Sequence, residues 1–88
     1  MRVTGRVDST EPEALALRMA RHFGHKVPVT QLGAATRIET RFGAIELEPA
    51  GNGLVVTLEG DDVERLRDVA VTHLERFARD APVVPRWD

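Results

Sequence analysis

Two of the three histidines of this chain fall within six residues, RHFGHK at positions 21–26, and the third is His73. Imidazole binds metals and moves protons near neutral pH, so these positions are where chemistry is sought first. His22 and His25 are three residues apart, which puts them on neighbouring turns of a helix and within reach of one ion. Two histidines make only half a metal site. His25 and Lys26 also suit a helix C-terminus, where cations favour the macrodipole, and this structural account needs no ligand. Arg21, Lys26 and protonated His25 could instead cradle an anion such as a carboxylate or catecholate. Such binding would weaken with salt, and with pH above the ordinary histidine pKa of about 6.5.

His73 falls within the apolar arc of a second helical pattern, close in angle to Leu66 and Phe77. A half-buried ring with one nitrogen hydrogen-bonded is the plain expectation, and a third ligand or proton carrier is the functional one. Other catalytic patterns are missing. Ser9 is the sole serine and lies in no nucleophile elbow. There is no cysteine or tyrosine and no glycine-rich phosphate loop.

Size and composition narrow the classes. Eighty-eight residues, 42% hydrophobic and 30% charged, suit one small folded domain spanning 1–88. The net charge of −2, with signs interspersed, lacks the basic stripe of a nucleic-acid binder. No stretch approaches the ~20 apolar residues of a membrane span, and the N-terminus lacks the apolar core of a signal peptide. The expectation is no membrane and a cytoplasmic location.

The elements that must position the histidines can be read in outline. Thr10-Glu11-Pro12-Glu13 opens a helix with a capping box, and Leu15, Ala16, Met19, Ala20 and Phe23 form its apolar face. Gly24 is the expected left-handed terminator. A second helix starts at Asp61-Asp62-Val63-Glu64, with Val63, Leu66, Ala70, Leu74 and Phe77 as its stripe. Between the helices, Gly33-Ala34, Phe42-Gly43 and Ala50-Gly51-Asn52-Gly53 read as hairpin turns.

Folding at those turns aligns Val29, Ile38, Leu47 and Val56 as one buried row, and Val27, Thr40, Ile45 and Leu58 as the next. The opposite face receives Arg37, Glu39, Arg41, Glu46, Glu48, Thr57 and Glu59, and so faces water. With Val3, Gly5 and Val7 as a first strand, the order is β-α-β-β-β-β-α: an α+β two-layer sandwich, an antiparallel meander with two helices on one face. The tail, too rich in proline for a central strand, is expected along an edge with Trp87 as anchor. This parity makes the helices antiparallel. His73 then lies about three turns above Asp62 and His22 at the lower end of its helix, on the order of 15 Å apart along the axis, which speaks against a three-histidine site within one monomer.

RHFGHKVPV at 21–29, RIETRFG at 37–43, VTHLERFAR at 71–79 and the closing Arg86-Trp87 resemble the small bacterial domain of unknown function numbered 2218. The pattern falls on His22, Phe23, His25 and Lys26, and on His73, Leu74, Arg76 and Phe77. The resemblance implies a stand-alone protein, or a domain joined to siderophore-interacting, flavin-dependent ferric reductases, and a link to iron or siderophore handling. It implies no established activity and no known cofactor.

Three readings follow. The first is a non-catalytic accessory module that binds a small anionic ligand or the reductase, with His22, His25, Lys26, His73 and Arg76 as candidate ligand-binding residues. The second is a small metal-binding or acid/base enzyme built on the histidines. The third is a structural or dimerisation domain.

Overall fold

The structure, a computed structural model, describes residues 1–79 and 82–88. Its elements are β1 (Arg2–Asp8), α1 (Pro12–Gly24), β2 (Val29–Leu32), β3 (Ala35–Thr40), β4 (Gly43–Ala50), β5 (Gly53–Glu59), α2 (Val63–Phe77) and β6 (Arg86–Trp87). The expected α+β sandwich is present. Six antiparallel strands lie in the order β2-β3-β4-β5-β1-β6, and both helices cover one face.

Alternation along the strands decides the faces. Val7, Ile38, Ile45, Leu47, Leu54, Val56 and Leu58 are buried against Leu15, Met19 and Phe23 of α1 and Leu66, Ala70 and Leu74 of α2. Val29, expected in the buried row, is half-buried because β2 is an edge strand. The tail supplies the other edge. Trp87 pairs with Gly5 and lies over it, so a Cβ on Gly5 would collide with the indole ring. The Arg67 guanidinium covers that ring from α2, 4.9 Å from its centroid.

The β3–β4 turn differs from expectation. Arg41 and Phe42 form it, Thr40 pairs with Gly43, and Ile38 therefore faces Ile45 while Thr36 faces Leu47. The observed rows are Val29, Ile38, Ile45, Leu58, Val3 and Gln31, Thr36, Leu47, Val56, Gly5. A shift of two residues keeps every side chain on its face, which is why the sandwich survives the error. Gly43 is required for another reason than a turn. Its φ is +133°, and a Cβ there would strike the Glu59 carbonyl. Arg41 consequently leaves the open sheet face and stacks on Phe42, 5.1 Å from its centroid, with Arg65 at 5.3 Å.

The helix ends also shift. Pro12 opens α1 as expected, but the cap position falls on Glu11, whose N–H donates to Ser9 Oγ at 3.0 Å. Gly24 stays within the helix, and His25 follows it with right-handed φ −77° and ψ −15°, so no left-handed terminator forms. In α2 the cap is Asp62 rather than Asp61, accepting the Arg65 N–H at 3.1 Å. On the open face Arg37 donates to Glu39, Glu46 and Glu59 at 2.7, 2.8 and 3.3 Å.

Candidate functional site

The histidines meet where the two helices touch. Arg18 donates to the Phe77 carbonyl at 3.0 Å and to Glu11 at 2.6 Å, so one guanidinium ties the start of α1 to the end of α2. One turn further along α1, His22 lies against His73, one turn back along α2. The helices therefore run in opposite directions at the contact, but they are not level. Phe77 sits beside Arg18, six residues into α1, rather than beside Pro12, a slide of about 9 Å at ~1.5 Å per residue. That slide overturns the expected separation. The rings of His22 and His73 are 5.0 Å apart, centroid to centroid.

Two phenylalanines complete the cluster. Phe23 lies 5.2 Å from His22, edge to face, and 4.7 Å from His73. Phe77 lies 5.3 Å from His22. Phe23 is buried in the core and the other three rings are half-buried, so the cluster emerges from the core at the surface.

The two imidazoles differ in chemistry. His73 Nδ1 lies 2.7 Å from the Val69 carbonyl, which can only accept, so Nδ1 carries a proton. The neutral ring then keeps Nε2 as its acceptor. His22 makes ring contacts without a hydrogen bond among the described residues. Partial burial pushes its pKa below the ordinary value, and the neighbouring His73, Arg76, Lys26 and His25 push the same way.

All five candidate residues thus converge on one surface at the C-terminal ends of α1 and α2. Lys26, His25 and Arg76 are exposed around the rings, and among the described residues none has a carboxylate partner. Arg76 rests 5.6 Å from the Phe77 ring centroid. Arg21, expected in the cationic cluster, is exposed on the last turn of α1 and is not among the charges acting on His22; Arg76 takes that place. No signal in α1 alone could have supplied Arg76, because the contact depends on how far the helices slide.

No group of three or more histidine or carboxylate side chains gathers within reach of one ion among the described residues. The open sheet face is also a poor dock for an acidic ligand, since Arg37 already holds three carboxylates. A cleft of about 670 Å³ lies beside Asp8, Ser9, Pro12 and Asn52. Among the described residues lining it, the charged side chain is Asp8, which accepts from both Arg86 Nη atoms at 2.9 and 3.0 Å. No helix is long and apolar enough to cross a membrane among the described residues.

Comparison with known proteins agrees with this fold. The NMR structure of PA4090 from Pseudomonas aeruginosa superposes with a TM-score of 0.77, covering 99% of this chain and 94% of that one at 23% identity. Identity that low carries the architecture alone. No curated protein matches the chain. A family profile matches residues 4–88, taking in the RHFGHK segment, His73 and the closing strand, and the chain belongs to that family, described as uncharacterized protein conserved in bacteria (DUF2218).

Proposed function

We propose that the protein is a non-catalytic, cytoplasmic binding module for a small anionic aromatic ligand of the catecholate type, linked to siderophore or iron handling. One observation carries the binding reading: His22 and His73 clustered with Phe23 and Phe77, ringed by Lys26, His25 and Arg76, none of which has a carboxylate partner among the described residues. An aromatic anion gains ring contact from the cluster and charge neutralisation from the rim. His73 Nε2 accepts from a ligand hydroxyl, and its bond to Val69 fixes the ring for that role. The iron link rests on the family resemblance, which also suggests a siderophore-interacting reductase as the protein that delivers or receives the ligand.

Calorimetric titration of a dihydroxybenzoate and its ferric complex tests the reading. The wild type should bind at low ionic strength and lose affinity with salt. A Lys26→Ala, Arg76→Ala double variant, both positions exposed, should bind roughly tenfold more weakly while keeping its circular dichroism. Equal affinity in both proteins, or none in either, removes the proposal and leaves RHFGHK as a helix end.

A further inference from the structure

We infer that the outer edge of β2 pairs with the same edge of a second copy, joining two sheets into one. The inference does not rest on the binding reading above. β2 and β6 are the two edges of the sheet. Edge strands are normally blunted by charge, and β6 is: Arg86 pairs with Asp8, and Asp88 follows Trp87. β2 is not. Residues 27–36 carry no charged side chain in a chain that is 30% charged. The other uncharged stretch of that length, 49–58, holds most of β5, which is paired on both sides. β2 therefore has the composition of an interior strand in an edge position.

The backbone pattern is self-complementary. Glu39 N–H donates to the Pro28 carbonyl at 3.0 Å, so by alternation Pro28, Thr30 and Leu32 turn their peptide groups toward β3. Val29 and Gln31 turn theirs outward. Pro28 is no guard, because its missing N–H lies on the β3 side. A twofold antiparallel pairing centred on Thr30 sets Val29 of each copy opposite Gln31 of the other. Both pairs then exchange two hydrogen bonds, and every outward group of the two residues is used.

Side chains on both faces suit a second copy. Leu32, 48% exposed on the open face, would lie against Pro28 of the other chain. Leu17, 49% exposed on α1, borders a groove of about 270 Å³ beside Gln31 and Ala34, which the facing chain would cover.

Thr30 supplies the test, because it is exposed in the single chain and would face itself across the twofold axis about 4.5 Å away. By sedimentation the wild type should be a dimer, Thr30→Lys and Thr30→Glu should each be monomeric, and their equimolar mixture should dimerise again. In the wild type the Val29 and Gln31 amides should exchange slowly with solvent, and in each variant quickly. A wild type that stays monomeric at NMR concentrations, dimers that persist in both variants, or a mixture that fails to associate would each overturn the inference.

Discussion

The rings of His22 and His73 stand 5.0 Å apart although they come from helices that run in opposite directions. That contact exists because α2 is slid along α1 until Phe77 reaches Arg18. Two imidazoles held this close, with Arg76, Lys26 and His25 acting on one of them, make the surface sensitive to acid.

His22 sets the sign of that sensitivity. Its pKa in the folded protein is lowered from 6.5, so the unfolded chain binds more protons as the pH falls. Its contribution to stability is complete above about pH 6.5 and is lost as the pH drops through the folded value. Melting temperatures taken across that range should fall on the acid side, and less steeply for His22→Gln. Parallel profiles for the two proteins would place the acid sensitivity elsewhere.

The buried row can be probed at Leu47, which is fully buried between Thr36 and Val56. Leu47→Ala should cost roughly 2–5 kcal/mol, a large part of the stability of a domain this small. Denaturant unfolding measures it. A midpoint close to that of the wild type would contradict the packing.

Much of this architecture is legible in the sequence. Gly33 and Gly51 sit at positive φ in two-residue turns, as glycine at such places demands, and Val29–Ile38 and Leu47–Val56 pair as read from the sequence. The misreading at Phe42-Gly43 has a definite cause. Gly43 is needed for close approach to the Glu59 carbonyl, and a local turn rule cannot see a strand sixteen residues away. The five candidate residues were legible as types, but their convergence was not. Helix slide depends on long-range contacts such as Arg18 with Phe77, which leave no periodic signal.

Arg37 should matter more than a surface ion pair usually does. It is the shared partner of Glu39, Glu46 and Glu59, and those three carboxylates hold its guanidinium more firmly protonated than usual. Arg37→Met removes the shared cation and leaves the acids facing one another. The expected loss is about 1–2 kcal/mol at low salt, given that the site is partly exposed. Added salt should recover part of it by screening the carboxylates. Chemical denaturation with urea at two ionic strengths reads both effects, and a loss independent of salt would argue against repulsion.

Gly5 and Trp87 should behave as one unit. A Cβ at position 5 displaces the indole, so Gly5→Ala should shift the emission of the single tryptophan to the red and loosen the closing strand. Once the ring is gone that clash is gone too, and Gly5→Ala should cost much less in a Trp87→Ala background. Additive costs would show that the two positions are not coupled.

The most direct test of the binding surface follows ring signals rather than affinity. NMR spectra of the histidine and phenylalanine side chains, recorded as a dihydroxybenzoate is added at low salt, should show His22, His73, Phe23 and Phe77 shifting together. Those shifts should be largely lost in the Lys26→Ala, Arg76→Ala double variant. Shifts confined to other parts of the chain, or an unchanged spectrum at saturating ligand, would contradict the assignment of this cluster as the site.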